Sequence, residues 1–477
     1  MQIFFRLIFL GVFLLLAACS SHKSILDDEI AKLKSNTVEE KSLKELEVSE
    51  SSNDYLLFMQ ELARIYFIKD DVDNALLYGK KSTDYYNRLD EKAVLAGGRV
   101  GSGLLAATLG NDNNLDYTGS DYERAFDYFY SSINYLKKND LNSALIDIRA
   151  TSDIQKLAVA RREARIAAAH DKINKTNYTL SADTKAILDK NSRMLADTQS
   201  GFLNAYIYYI SGNIRELSGD LNGAMVDYKL ALSINPTNRY ILQDAMRLAK
   251  LIDSSYYQSL KGSVEEVADY KQKATVIVVY EQGFIPAKQE FRGTIWLFDG
   301  SFYTIALPYY PDSGVKPNTV MVDFFKTAGE SQRTKMEVLT DVYTLAQNDL
   351  AENYPFIMAR QVSRVISKGV AQNVGRNMMN GNNNNNAGLG LLMYGVGAMS
   401  SVLESADTRS FRVLPHYVQV AKFNSSQNIN KLKILVNSNR SIEIADISVN
   451  LGETALVYVV DTGNYIYSKV VFKSRKT

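Results

Sequence analysis

The sequence predicts an α+β fold: a tetratricopeptide-like α-solenoid comes first, and an antiparallel β-sandwich-like domain with a helical insertion follows. All seven prolines lie after residue 235, and the residues before them are rich in Ala, Leu, Tyr, Lys and Asp, which favours helices. After residue 271, short runs of Val, Ile, Tyr and Phe are separated by Gly, Pro and Asn, which is typical of strands. The 477 residues are enough for about two to four domains.

The composition excludes several classes of protein. Lys and Arg total 54 and Asp and Glu total 53, and this balance argues against bulk nucleic-acid binding, which requires a basic face. A single Cys can form neither an intramolecular disulfide nor a Cys-based structural zinc site. The three histidines, His22, His170 and His416, lie far apart in the sequence. We therefore expect no metal ion and no cofactor.

Residues 1–18 have the pattern of a lipoprotein signal peptide, because the apolar run at 7–16 has the length of a signal-peptide core and is short for a bilayer span. The run is followed by Ala-Ala-Cys, which looks like the end of the bacterial lipobox, and Cys19 is the only thiol in the chain. The lipobox implies three acyl chains at Cys19, which hold a protein far more firmly than one chain. Ser20, where an Asp would resemble an inner-membrane retention signal, favours the outer membrane with the body in the periplasm. The alternative is a plain secretory signal.

Residues 19–50 are polar and are expected to form a tether, in part helical, that leads to a helical repeat domain over 51–270. The clearest repeat lies near 204–236 and has small, aromatic and Pro residues at the tetratricopeptide spacing. The matching residues are Gly212, Ala224, Tyr228, Ala231 and Pro236. The small residues let two helices approach closely, and Pro236 ends the second helix.

Two weaker copies share a Tyr and an Ala nine residues apart, across polar turns. The pairs are Tyr66 with Ala75 and Tyr135 with Ala144. Further helices are expected near 153–170, 183–198 and 237–253. Together these elements are sufficient for a stacked array, which needs about three repeats to bury its faces. The alternative is an irregular helical bundle without superhelical curvature.

The β-rich domain is expected over 271–477. Eight runs have strand character, and several alternate apolar and polar residues, which predicts a β-sandwich. The runs are 273–280, 291–298, 301–307, 416–423, 431–436, 441–447, 454–460 and 464–472. An insertion at about 333–404 interrupts them. It is expected to contain two helices over 333–375 broken at Pro355, an Asn-rich loop at 380–386 and a Gly-rich apolar segment at 387–403.

Two features of the insertion are candidates for contact with a partner. Arg360, Arg364 and Lys368 are spaced four residues apart and form one basic stripe along a helix. The stripe either binds anionic lipid headgroups or an acidic partner, or it is a solvated helix face. The Gly-rich segment 387–403 fits three alternatives. It is a helix buried against the sandwich, a surface for a partner or for self-association, or an arm that inserts into a membrane.

Two motifs resemble ligand sites but lack an essential part. The Gly-rich stretch 97–103 has no Gly-Lys-Ser/Thr, so a flexible loop or a closely packed helix is favoured over a phosphate loop. Asp112, Asn114, Asp116 and Glu123 have the spacing of a calcium-binding EF-hand loop. Tyr117 stands where that loop needs Gly, and a capped loop between helices is favoured.

Two further residues belong to hydrolase-like patterns. Ser313 opens a Ser-x-x-Lys motif, but the Ser-Asp-Asn and Lys-Thr-Gly partners of penicillin-binding enzymes are absent from the sequence. His416 follows Pro415 and precedes a predicted strand, so it is expected to be a strand-edge residue more than a general base.

The chain resembles a family of bacterial outer-membrane lipoproteins with degenerate tetratricopeptide repeats and a C-terminal β domain. Three motifs carry the resemblance: the lipobox at Cys19, a Tyr-x-Gly-x-x-Tyr-Glu motif at 117–123, and an Ala-Asp-x-Arg-Ser-x-Arg-x-Leu-Pro motif at 406–415. This chain has Phe411 where relatives often have Trp. The resemblance implies an envelope scaffold or assembly factor and supplies no catalytic residues.

We therefore expect a lipid-anchored periplasmic scaffold, not an enzyme, that binds protein or peptide partners and no nucleic acid. Its 30 Tyr residues suit a partner-binding face, because Tyr gives a large contact area at low entropic cost. The candidate partner-binding residues are Tyr117, Tyr122, Tyr208, Arg360, Arg364 and Lys368. The alternative is an envelope-remodelling hydrolase that uses His416 or a Ser in the β domain.

Overall fold

The predicted α+β class is confirmed. The computed structural model describes residues 24–95, 115–174, 178–196, 203–266, 273–297, 302–327, 329–380, 404–445 and 447–475. One hydrophobic core runs through both the helices and the strands. The helical and β-rich parts therefore share their interior in the described residues.

The helices occupy most of the first half of the chain. In order, they are α1 (24–35), α2 (Glu40–Leu43), α3 (Tyr55–Ile68), α4 (Val72–Leu95), α5 (Asp121–Lys137), α6 (Leu141–Asn174), α7 (Ala182–Ala196), α8 (Ala205–Leu217), α9 (Leu221–Ile234), α10 (Arg239–Ile252), α11 (Ser254–Leu260) and α12 (Val342–Asn380). The expected helices at 183–198 and 237–253 correspond to α7 and α10, and the one at 153–170 is part of the longer α6.

The three predicted helical hairpins, α3/α4, α5/α6 and α8/α9, are confirmed and share one turn. The second residue after each first helix has a positive φ: 63° at Asp70, 59° at Asn139 and 85° at Gly219. The Asp that follows caps the second helix by accepting a hydrogen bond from a backbone N–H three residues later. The bonds are Asn74 to Asp71 (3.1 Å), Ser143 to Asp140 (3.0 Å) and Gly223 to Asp220 (2.9 Å).

Gly212 in α8 lies where the two helices of the α8/α9 hairpin approach closely. A Cβ at Gly212 would lie 2.6 Å from Cε1 of Tyr228, whose ring is fully buried. We expect Gly212→Ala to lower the free energy of unfolding by about 1–3 kcal/mol through overpacking, as measured by chemical denaturation. Gly79→Ala in α4 is the control, because its nearest atom would be 4.0 Å away and Ala favours a helix. Equal effects of the two substitutions would contradict the close approach.

The strands form three sheets. In order, they are β1 (Tyr178–Leu180), β2 (Ala274–Gln282), β3 (Gln289–Leu297), β4 (Phe302–Tyr309), β5 (Val320–Lys326), β6 (Ser331–Lys335), β7 (Glu337–Asp341), β8 (Tyr417–Ser425), β9 (Ile429–Val436), β10 (Arg440–Ile444), β11 (Glu453–Asp461) and β12 (Ile466–Arg475). The strand orders are β1-β3-β4, β10-β9-β5-β6 and β12-β11-β2-β8-β7. All eight predicted strands are present.

The five-stranded sheet lies between the helices and the four-stranded sheet. Its strands β2 and β11 pair in parallel, and every residue of both is buried, as expected for strands covered on two faces. On one face, Glu281 of β2 contacts Arg64 of α3. On the other, Phe423 of β8 stacks on Phe324 of β5, with ring centroids 4.6 Å apart.

The helical insertion differs from its prediction. Strands β6 and β7 occupy the start of the segment where helix was expected. Strand β6 is polar and largely exposed, so its sequence carries little strand signal. The predicted break at Pro355 is wrong, because α12 continues through it. A Pro removes one hydrogen bond of the helix, but the packing of neighbouring side chains compensates for this loss. Tyr354 donates a hydrogen bond to the carbonyl of Pro308, and Ile357 is buried.

The prediction of a polar tether up to residue 50 is wrong for the described part of that segment. In α1, Leu26, Ile30 and Leu33 are buried in the core, as are Leu43 and Leu46 further on. These apolar residues are spaced so that one side of each short helix faces the core. Within the described residues, the folded body therefore already includes α1 and α2.

Candidate functional site

The three tyrosines predicted to bind a partner are buried in the fold. Tyr117, Tyr122 and Tyr208 are only 6%, 2% and 1% exposed. The hydroxyl of Tyr117 donates a hydrogen bond of 2.5 Å to Glu123, and the hydroxyl of Tyr122 lies 3.3 Å from the same carboxylate. The expectation that these residues form an accessible binding face is therefore wrong.

The basic stripe on α12 is also different from its prediction. Arg364 is 1% exposed and forms a buried ion pair with Glu404 at 2.5 Å, whereas Arg360 is half-buried. Ile366, two residues further along α12, is 38% exposed. The side chain of Lys368 lies outside the described part. Arg364 thus stabilises the connection from α12 to the residues before β8 and does not face solvent.

A segment of the chain itself occupies the position beside α3 and α5. We call residues 406–415 the cis segment. Glu61 of α3 accepts hydrogen bonds from the backbone N–H groups of Arg412 (2.6 Å) and Val413 (3.1 Å). Glu123 of α5 accepts one from Phe411 at 2.9 Å. Each carboxyl group therefore binds backbone N–H groups of the cis segment, as a receptor would bind a peptide.

Side chains of the cis segment fix it further. Arg409 donates to the carboxylate of Asp54 at 2.9 Å and to the carbonyl of Leu115 at 3.0 Å. Phe411, Val413 and Leu414 are at most 1% exposed. The Ala-Asp-x-Arg-Ser-x-Arg-x-Leu-Pro motif at 406–415 is thus a structural element. It covers the surface of α3 and α5 against which a peptide would otherwise bind.

A buried charged network joins the helices to the five-stranded sheet. Arg64 of α3 and Glu281 of β2 form an ion pair with side chains 1% and 0% exposed. Glu281 also accepts hydrogen bonds from the hydroxyls of Tyr130 (2.9 Å) and Tyr206 (3.0 Å). The Tyr206 hydroxyl in turn accepts a hydrogen bond of 3.0 Å from the hydroxyl of Tyr458 in β11. Helices α3, α5 and α8 are therefore fixed to one point of the sheet.

A small polar cavity adjoins this network. It has a volume of about 10 Å³, which is room for one water molecule, and Gln60, Arg64 and Asn134 are among its lining residues. The Nη1 atom of Arg64 and the Oε1 atom of Gln60 are buried without a protein partner. Both residues therefore line a space that is large enough for a water molecule.

Asp127 lines the same cavity, and burial raises its pKa to about 7. Gln60 and Ser82 both donate hydrogen bonds to its Oδ2 atom, which leaves Oδ1 to carry the proton. Because the pKa is raised in the folded state, the stability is complete below the ordinary value near 4 and is lost as the pH rises through 7.

We expect Asp127→Asn to remove this pH dependence, because the amide mimics the protonated acid. Between pH 4 and about 8, the wild-type protein should lose roughly 2–4 kcal/mol of unfolding free energy relative to the variant. Denaturant titrations across this pH range measure the difference. Parallel stability curves for the two proteins would show that Asp127 does not hold a proton in the folded state.

His416, the candidate base of the alternative hydrolase, is 2% exposed. Its Nε2 atom lies 3.5 Å from Oγ of Ser313, and burial lowers its pKa. Its ring stacks on Tyr417, with ring centroids 4.5 Å apart. The carboxylate of Asp341, whose charge acts on His416, is engaged in capping α12 through Thr344. Among the described residues there is a Ser–His contact but no acid that hydrogen-bonds the His, so the hydrolase stays a prediction.

An open groove lies where the α9–α10 connection meets β7 and β8. It has a volume of about 350 Å³, within the range of ligand sites. Four amide residues are among those that line it: Asn235, Asn238, Asn318 and Gln419. Asn238 and Gln419 donate hydrogen bonds to the carbonyls of Val338 and Asn318, so their positions are fixed. Thr237 at the groove is exposed. A preformed polar groove of this kind suits the backbone of an extended peptide.

The other sequence motifs lie partly outside the described residues. Cys19, the stretch 97–103, Asp112, Asn114 and the Gly-rich segment 387–403 lie outside the described residues. Glu123, the last position of the EF-hand-like pattern, instead completes a capping box with Ser120 at the start of α5. Across the described ranges, no cluster of three or more His, Cys, Asp or Glu residues is placed to hold a metal ion. None of the described helices has the length and apolar composition needed to cross a membrane.

Sequence reasoning missed Glu61, Arg64 and Glu281, the residues that organise the interior. A signal was present, because Glu61 and Arg64 interrupt the apolar run of α3 and Glu281 ends that of β2. Charges in such runs are rarely buried without a partner. Comparisons with family models, with curated proteins and with solved structures found no match.

Proposed function

We propose that this protein is a lipid-anchored scaffold of the bacterial envelope, held in the outer membrane through Cys19 with its body in the periplasm. The observation that carries the proposal is the lipobox ending at the only Cys of the chain. Lipid attachment confines a binding protein to the membrane plane and raises its effective concentration there. The proposed partners are proteins or peptides.

The architecture fits a scaffold. The turn shared by the three helical hairpins supports tetratricopeptide-like repeats, and the stacked five- and four-stranded sheets support a sandwich-like β domain. The cis segment fills the surface beside α3 and α5, so we assign partner contact to the open groove near Thr237. A fixed groove on a rigid body is a suitable receptor for an extended peptide.

The anchor is tested with Cys19→Ser in the full chain. We expect the wild-type protein to incorporate labelled fatty acid and sediment with outer membranes. The variant should lose the label, accumulate as precursor and shift out of the outer-membrane fraction. Full recovery of the variant in that fraction would contradict the proposal.

The wild-type protein and the Cys19→Ser variant also test whether the groove binds a partner. A photo-crosslinking amino acid at Thr237 should give a discrete adduct in the anchored protein and less of it in Cys19→Ser, because anchoring raises the local concentration. The control position is Asp73 on α4, whose side chain is 84% exposed. Adducts that are equal at both positions would show that the groove is not the contact.

A further inference from the structure

We propose that the face around the start of α1 lies against the phospholipid headgroups of the membrane, so that the scaffold works at the membrane surface and not at the end of a tether. This inference rests on the proposed function, because it requires the lipid on Cys19. We define the membrane-proximal face by the exposed residues Ser24, Asp27 and Asp28 together with Arg412, which pairs with Asp27.

Helix α1 is firmly attached to the body at both ends. Near its start, Leu26 is 3% exposed, and Asp27 forms an ion pair with Arg412 of the cis segment. Near its end, the carbonyl of Leu33 accepts a hydrogen bond of 2.7 Å from the hydroxyl of Tyr467, and Leu33 itself is fully buried. The first turn of α1 therefore has a fixed position in the fold.

The chain between the lipid and this fixed point is short. Only five Cα–Cα steps separate Cys19 from Ser24. Each step covers at most about 3.3–3.6 Å, so Ser24 stays within roughly 17 Å of the lipidated residue even if the chain is fully extended. A flexible tether of about 30 residues would instead place the body roughly 30 Å away on average. The folding of residues 24–50 removes that length.

The charges of the membrane-proximal face are paired. Asp27 is paired with Arg412. Lys32 lies 2.7 Å from the carboxylates of both Asp28 and the buried Glu29. A face with paired charges and little net charge is compatible with zwitterionic phospholipid headgroups, which neither repel it nor require a basic patch. The occupant of this face is therefore the zwitterionic phospholipid surface in which the anchor sits.

The test uses the full-length lipidated protein in vesicles of zwitterionic phospholipid with a small fraction of headgroup-nitroxide lipid. A fluorophore is placed on Asp28→Cys, where the side chain is 63% exposed and the lost ion pair is a surface one. The matched variant carries the same label and a flexible Gly-Ser insertion of about 30 residues between Lys23 and Ser24. Sedimentation with the vesicles is measured for both proteins.

We expect both proteins to sediment and the nitroxide to quench the native-length protein several-fold more than the variant with the insertion. Equal quenching in the two sedimenting proteins would overturn the membrane-proximal face and leave the lipid anchor intact. Failure of the native-length protein to sediment would instead overturn the anchor, and with it both proposals. Circular dichroism of the two proteins checks that the insertion leaves the fold unchanged.

Discussion

Replacing Glu281 with Leu is expected to lower the free energy of unfolding by about 3–5 kcal/mol. The substitution leaves the guanidinium of Arg64 buried, 1% exposed, without its counter-charge. It also removes the acceptor of the Tyr130 and Tyr206 hydroxyls. A buried cation and two orphaned donors are costly because water cannot reach them. Chemical denaturation at neutral pH measures the loss.

The double variant Arg64→Leu/Glu281→Leu separates the cost of an unpaired charge from the value of the pair. Apolar residues of similar volume often replace a buried ion pair with little loss, so we expect the double variant to be more stable than Glu281→Leu alone. If the losses measured for Arg64→Leu and Glu281→Leu separately add up to the loss in the double variant, the two residues act independently, in contradiction to the direct pairing.

This pair shows where sequence reasoning reaches its limit. The helix that contains Arg64 and the strand that contains Glu281 were both predicted, because apolar periodicity is local. Their contact joins residues 217 positions apart and depends on how α3 crosses the sheet. Nothing in either segment specifies that crossing. A charge inside an apolar run predicts a partner, but it does not identify the partner.

The missed elements have a similar explanation. Strand β6 is polar and mostly exposed because it forms the edge of its sheet, so the alternation that marks a half-buried strand is absent. Strand β1 has only three residues and is held by its pairing with β3, far along the chain. Helix α12 passes Pro355 because the packing of the surrounding turns outweighs one lost hydrogen bond. In each case tertiary contacts decide against local propensity.

The predicted partner-binding residues were misplaced for a different reason. The spacing of a Tyr in a helical sequence is the same whether its side chain faces a partner or another part of its own chain. Tyr117 and Tyr122 meet Glu123 beside the cis segment, so they serve an internal interface with the chemistry of a binding site. The sequence could indicate that tyrosines form an interface. It could not show that the chain supplies both sides.

Glu123 is one of the two carboxyl groups that hold that internal interface, and we expect Glu123→Ala to lower the free energy of unfolding by about 3–7 kcal/mol. Its carboxylate caps α5 through the N–H of Ser120 at 2.9 Å, which accounts for about 1 kcal/mol. It also accepts from the N–H of Phe411 and the hydroxyl of Tyr117, both buried. These two donors lose their acceptor in the variant, at a cost of about 1–3 kcal/mol each.

Asp140→Ala is the matched control, since Asp140 also caps a helix but is partly exposed and contacts only its own turn. It should cost about 1 kcal/mol. Native-state hydrogen exchange gives a local measurement: the amide of Phe411 should lose protection in Glu123→Ala and keep it in Asp140→Ala. If the two variants are equally stable and Phe411 stays protected in both, Glu123 is only a helix cap, and the cis segment is held by Glu61 and its apolar side chains alone.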